Sequence, residues 1–190
     1  MSQPRIAYQP ALDGLRALAV AGVIAYHLGY PSARGGFLGV DAFFVLSGFL
    51  ISSLLLAERS DTGHVSLRGF WTRRARRLLP ALFVMLTAVC LDAAVAVPDI
   101  QLGTLRGDAF AAIFYVSNWH AISAGQSYFS LFAAPLPLTH LWSLAIEEQF
   151  YLAWPLIVLG LLGLSAGTRR GLWIGTIAGI IESQVAMTLL

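Results

Sequence analysis

The sequence predicts an all-α protein, a polytopic bundle with about five to six transmembrane helices. Hydrophobic residues make up 57% of the 190 residues and charged residues only 12%, and the mean hydropathy is +0.73. A globular domain carries about 25% charged residues, so this chain has too little charge to coat a water-exposed surface. Disordered chains need low hydrophobicity and high net charge, and these numbers exclude that class too.

Six apolar runs follow one another, separated by charged or turn-forming residues. In chain order they cover residues 12–30, 37–57, 78–97, 109–122, 138–164 and 171–190. A helix needs about 20 apolar residues to cross a bilayer, so the short fourth run either spans fully or enters and leaves on one face. Gly35, Gly36, Pro135 and Pro137 are expected to break the chain between runs. Residues 117–138 are expected to form a loop.

Charge between the runs predicts the orientation in the membrane. Residues 58–77 hold six arginines against two acidic residues. Because arginine-rich short loops stay in the cytoplasm, this loop is predicted inside and residues 92–108 are predicted to be an external loop. The expected arrangement is a short cytoplasmic tail, residues 1–7, and a multi-pass domain, residues 8–190, in the plasma (inner) membrane. The net charge of +2 is assigned to orientation, and no nucleic-acid partner is predicted.

The first run contains an arginine and a histidine. Arg16 and His27 lie eleven residues apart, so on a helix they return to within ~20° of one face with a rise of ~16 Å. Ionisable side chains inside spans are costly and mark functional sites. The spacing therefore fits a cation and an imidazole that face the same interior. It also fits Arg16 reaching the cytoplasmic interface while His27 packs near the other one.

Asp41 opens the second run, and the short connection before it predicts a depth close to that of His27. A carboxylate that holds one imidazole nitrogen fixes the tautomer and raises the basicity of the ring, which prepares a general base. The alternative is that Asp41 caps the helix at the interface. Ser47, further along this run, is expected to be a small packing residue rather than a nucleophile.

Two further groups of polar residues lie at the third and fifth runs. The segment FWTRRARRLLP contains four arginines, which fit either lipid headgroups or a phosphate-bearing cytosolic ligand. Glu147 lies seven residues after His140 on nearly the same helix face. Its neighbour Glu148 diverges by about 100° and must find another partner. No local two-histidine spacing is present, and no metal site is predicted.

Four segments together resemble the acyltransferase 3 family. They are LDGLRALAVAGVIAYH, GGFLGVDAFFVLSGFLI, FWTRRARRLLP and HLWSLAIEEQFYL, in that order. These family members are integral membrane enzymes that O-acylate sugars, lipopolysaccharide, peptidoglycan and some antibiotics. The resemblance implies catalytic positions at His27 (the expected base), Asp41 and Glu147. It also implies donor-binding positions at Arg16, Arg73 and Arg77.

The resemblance also implies a reaction and its partners. An acyl group, commonly acetyl, would pass from acyl-CoA to a hydroxyl of a cell-envelope or secreted carbohydrate. The expected partners are membrane lipid, acyl-CoA and a carbohydrate or glycolipid acceptor, with no bound cofactor. The oligomeric state and the choice between direct and covalent transfer stay open. Family members have about ten spans, and this chain ends in its sixth run, so a carboxyl-terminal truncation is expected. The alternatives are an export component with a buried charged pathway and an inactive remnant.

Overall fold

The computed structural model describes residues 9–96, 99–126, 137–164 and 169–189, and in these ranges it contains helices and no strand. The predicted all-α class is confirmed. The helices are α1 Pro10–His27, α2 Gly39–Thr62, α3 Leu67–Ala96, α4 Asp99–Ile113, α5 Ser117–Ser123, α6 Leu141–Leu164 and α7 Arg169–Leu189. Two short 3-10 turns, Pro31–Ala33 and Gly36–Leu38, join α1 to α2.

Three segments of the described chain are long and apolar enough to cross a membrane. They are Gly36–Thr62, Leu67–Val95 and Leu141–Gly163, and they correspond to the second, third and fifth predicted runs. Helices α1 and α7 form at the first and sixth runs but do not belong to this set. In α1, the charged residues Asp13 and Arg16 lower the mean hydropathy of its 18 residues.

The boundaries predicted for the fourth apolar run and for the loops on either side of it were wrong. Helix α4 begins at Asp99, inside the predicted external loop, and ends at Ile113. Tyr115 then adopts a left-handed φ of 53°, a conformation that ends a helix at a non-glycine residue. Helix α5 starts two residues later and replaces part of the expected loop over residues 117–138. Pro135 lies outside the described residues.

The predicted cytoplasmic loop, residues 58–77, is mostly helical, because α2 continues to Thr62 and α3 begins at Leu67. Charge ends an apolar run but not a helix, since arginine is a good helix former. The arginine cluster therefore lies on α3 itself.

Glycines bring α1 and the start of α2 together. A Cβ atom built on Gly36 would collide with the backbone oxygen of Gly22, and one on Gly39 would lie 2.5 Å from the backbone oxygen of Ala19. Only glycine permits such close backbone approach. The predicted break at Gly35 and Gly36 is confirmed by the two 3-10 turns, and this close packing holds the start of α2 against the second half of α1.

The chain divides into two compact units, with boundaries inside α2 and α6. The larger unit comprises the described residues within 9–48 and 66–151, and all six predicted site residues belong to it. Its buried cluster consists of Leu82, Leu86, Ala93, Leu105, Ala112 and Leu138.

The smaller unit comprises residues 49–65 and the described part of 152–190. Its largest fully buried side chains are Leu55, Pro155, Val158 and Leu162. The Trp154 indole donates a hydrogen bond to the Ser52 hydroxyl at 2.8 Å.

Candidate active site

Two adjoining cavities lie between α1, the start of α2 and the start of α6. The first has a volume of about 340 Å³ and is lined by Val23, Ile24, His27, Leu28, Phe37, Val40, His140, Trp142 and Ser143. The second has a volume of about 270 Å³ and is lined by Val20, Val23, Ile24, Val40, Phe43, Phe44, Ser143, Leu144 and Glu147. Four lining residues are common to both, so the cavities adjoin. The residues that line both cavities are mainly apolar, with a few polar side chains among them, as in most ligand sites.

His27, the last residue of α1, lines the first cavity. Its Nδ1 lies 2.7 Å from the carbonyl oxygen of Val23, one turn earlier on the same helix. A carbonyl oxygen only accepts hydrogen bonds, so this contact places a proton on Nδ1 and leaves the basic lone pair of the neutral ring on Nε2. The backbone of α1 therefore selects the tautomer of His27.

The predicted contact between Asp41 and His27 does not form within the described part of the chain. Asp41 is exposed and lies in the first turn of α2, and the hydrogen bond assigned to Nδ1 of His27 goes to Val23. A carboxylate in a first turn is favoured by the helix dipole, which agrees with the alternative interface position. A catalytic role for Asp41 remains a prediction.

His140 is a cavity residue that the sequence analysis did not assign to the site. Its ring packs edge to face on that of His27, with the centroids 4.8 Å apart and the planes at 80°. Edge-to-face packing is a preferred arrangement of aromatic rings and restricts their rotation. The sequence feature that could have indicated His140 is its spacing of seven residues from Glu147, which puts both on nearly the same helix face.

Glu147 lines the second cavity and is held by two hydroxyl groups. Ser47 of α2 donates to Oε1 of Glu147 at 2.5 Å, and the Tyr151 hydroxyl donates to the same oxygen. Ser47 is buried, with 4% of its surface exposed. Its predicted packing position is thus correct, but it also binds the carboxylate, which the sequence analysis missed.

Three consecutive residues of α6 bind three different parts of the unit. Glu147 binds Ser47 on α2, and Glu148 forms an ion pair with Arg74 on α3 at 3.0 Å. The Gln149 amide donates to the Tyr115 carbonyl oxygen at 2.7 Å, between α4 and α5. Successive helix residues point about 100° apart, so the run EEQ fixes α6 against neighbours in several directions.

Comparison with known proteins identifies the family of this chain. A family model described as an acyltransferase domain, that of acyltransferase 3, matches residues 9–183. The chain belongs to the acyltransferase 3 family. This result confirms the resemblance carried by the four sequence segments, and it includes the described residues that line both cavities.

Relatives within the acyltransferase 3 family are named as acetyltransferases. The chain is 55% identical to a peptidoglycan O-acetyltransferase of Listeria monocytogenes over 152 residues, which cover 80% of this chain and 24% of the relative. It is 46% identical to a candidate peptidoglycan O-acetyltransferase of Bacillus subtilis over 184 residues, which cover 96% of this chain and 28% of the relative. The chain thus spans about a quarter of the length of these relatives. No solved structure gives a significant match.

The arginines of this acyltransferase 3 chain occupy different surroundings. Arg73 and Arg77 are exposed on α3, and Arg16 lies 3.8 Å from Asp13 within α1. None of these three lines either cavity. Arg74 is partly buried between Glu148 and the Tyr151 ring. The structure therefore brings His27 and Glu147 to adjoining cavities and leaves the predicted donor-binding arginines outside their walls.

Proposed function

We propose that the protein transfers an acyl group, in the first instance acetyl, from acyl-CoA to a hydroxyl of a cell-envelope carbohydrate. Membership of the acyltransferase 3 family supports the reaction class. The names of the Listeria and Bacillus relatives favour peptidoglycan as the acceptor. The observation that carries the proposal is the Nδ1 contact of His27 with Val23 beside a cavity.

In this proposal Nε2 of His27 is the general base. It accepts the proton of the acceptor hydroxyl as that oxygen attacks the thioester carbonyl carbon. A carbon–oxygen bond forms, the carbon–sulfur bond breaks, and the proton passes to the departing CoA sulfur. General-base help of this kind contributes roughly 10²–10⁴-fold to the rate. A relay through an acyl-enzyme would use the same base.

The donor is proposed to bind where α3 carries its exposed arginines. The planar guanidinium group forms two parallel hydrogen bonds with a phosphate. Arg73 and Arg77 are exposed and could bind the phosphates of acyl-CoA at a cytoplasmic mouth, with Arg16 near the same membrane face. With the arginines on this side, the amino terminus is also proposed to lie in the cytoplasm, and the arginine-rich segment supports this orientation.

The test is label transfer in membrane vesicles that contain the protein. Radiolabelled acetyl-CoA is supplied with soluble peptidoglycan fragments, and base-labile acetate on the fragments is counted. His27→Ala is expected to lower the transfer rate by roughly 10²–10⁴-fold. The matched control is His64→Ala, because His64 lies exposed between α2 and α3.

Two outcomes would contradict the proposal. The first is equal transfer by His27→Ala and the unaltered protein at equal expression. The second is release of labelled solute across the vesicle membrane without any acylated fragment, which would favour an export component.

A further inference from the structure

Tyr151 joins the arginine-bearing helix α3 to the cavity carboxylate Glu147. Its hydroxyl donates to Oε1 of Glu147, and its ring centroid lies 3.2 Å from the guanidinium carbon of Arg74. Its backbone carbonyl accepts a hydrogen bond of 3.1 Å from the Trp71 indole. Only 4% of Tyr151 is exposed. Two side chains of α3 therefore hold Tyr151, Arg74 at the ring and Trp71 at the backbone carbonyl, and this fixes the position of the hydroxyl group.

Glu147 is bound through one of its two oxygens. The Ser47 and Tyr151 hydroxyls both donate to Oε1. Within the described ranges no hydrogen bond reaches Oε2. A carboxylate can accept about four hydrogen bonds. Because Glu147 also lines the second cavity, it retains capacity to accept a hydrogen bond from a ligand in that cavity.

We propose that Tyr151 and Ser47 are positioning residues that hold Glu147 by Oε1, so that Oε2 binds a hydroxyl group of the acceptor carbohydrate in the second cavity. This inference rests on the proposed acyl transfer. A hydroxyl that donates to a carboxylate forms a short, strong hydrogen bond. A carboxylate fixed in advance loses less conformational freedom on binding, and the apolar walls strengthen the contact.

The inference predicts a specific effect on acceptor binding. Tyr151→Phe removes the hydroxyl and keeps the ring beside Arg74. With labelled acetyl-CoA and soluble peptidoglycan fragments, it is expected to raise KM for the fragments about tenfold and to leave KM for acetyl-CoA unchanged. Ser47→Ala, which acts from another helix, is expected to shift the same constant in the same direction. The control is Tyr30→Phe, because Tyr30 is exposed on the connection after α1.

A double substitution separates positioning from general structural support. If Tyr151 acts through Glu147, adding Tyr151→Phe to Glu147→Ala changes the rate by less than about twofold, because alanine has no side-chain oxygen to accept from the Tyr151 hydroxyl. An equal loss in both backgrounds would overturn the inference. So would an unchanged KM for the fragments in both Tyr151→Phe and Ser47→Ala.

An infrared measurement judges the inference independently of catalysis. The carboxylate stretching band of Glu147 is assigned by its absence in Glu147→Gln, in detergent-solubilised protein. Tyr151→Phe and Ser47→Ala are each expected to shift this band, whereas an unmoved band in both would overturn the inference. If even the unaltered protein transfers no label, the proposed function fails, and the infrared result still decides whether Tyr151 positions Glu147.

Discussion

In the larger unit, two histidines pack against different kinds of partner. At the cavity, His27 packs on a second imidazole, that of His140, at 4.8 Å. Between α4 and α5, Nε2 of His120 lies 3.3 Å from the carboxylate of Asp108. The second pair has the composition that the sequence analysis expected at the first. A histidine and a carboxylate close in the chain therefore need not pair, because helix packing selects the contacts.

The two pairs also differ in what holds the imidazole. His120 packs closely on Gly107, where an added Cβ would lie 3.0 Å from Nε2, and the same Nε2 lies beside the Asp108 carboxylate. His27 takes its orientation from the carbonyl of Val23 and lines a cavity. A carboxylate stabilises the protonated ring, whereas a backbone carbonyl fixes the tautomer without adding charge. Of the two rings, His27 lines a cavity, as the proposed base must, and its tautomer is set by the backbone alone.

Among the neighbours of the two imidazoles, the largest effect is expected at His140, the partner of His27. His140→Ala removes the edge-to-face contact that restricts the His27 ring, and we expect kcat for label transfer to fall up to about tenfold, since such contacts contribute about 0.5–1.5 kcal/mol. His140→Phe keeps an aromatic ring and is expected to restore most of the rate. His120→Ala serves as the control from the other pair. A loss in His140→Phe as large as that in His140→Ala would mean that the imidazole itself, not its packing, is required.

A smaller effect is expected at Asp41. Since the Val23 carbonyl already holds Nδ1 of His27, Asp41→Asn is expected to lower kcat by less than about tenfold. It is also expected to reduce stability by about 0.3–1 kcal/mol through the loss of a first-turn charge. Rates and thermal unfolding of the same preparation measure both quantities. A loss of about 100-fold or more would contradict this expectation and would support the pairing of Asp41 with His27 that the sequence predicts.

The sequence predicted those parts of the site that depend on one helix at a time. Apolar length identified α2, α3 and α6, since hydrophobic runs need no partner to be recognised. Residues that are costly in a membrane singled out His27 and Glu147, and both line the adjoining cavities.

The parts that depend on the rotation of one helix against another could not be predicted. Arg73 and Arg74 are neighbours in the sequence, yet only Arg74 forms the ion pair with Glu148. Nothing in the sequence of α3 states which of its arginines faces α6. The same holds for Tyr151, whose apolar surroundings gave no reason to expect a hydroxyl bonded to Glu147.

The smallest expected effect is a pH dependence of stability at the carboxylate–imidazole pair. Burial raises the pKa of Asp108 above its usual value of 3.8, and the charge of His120 partly opposes this rise. The folded protein therefore binds the proton of Asp108 more tightly than the unfolded chain does. The corresponding stability is fully present below about pH 4 and is lost as the pH rises through the raised pKa.

Replacement of the carboxyl group tests this sign. Asp108→Asn is expected to flatten that decline and to change stability by about 1 kcal/mol or less, the scale of a partly exposed ion pair. Thermal unfolding in detergent between pH 4 and pH 8 measures the profile, with the exposed Asp92→Asn as the control. A steeper loss of stability in Asp108→Asn at rising pH would mean that attraction to His120 outweighs burial, and the pair would then stabilise the fold as an ion pair.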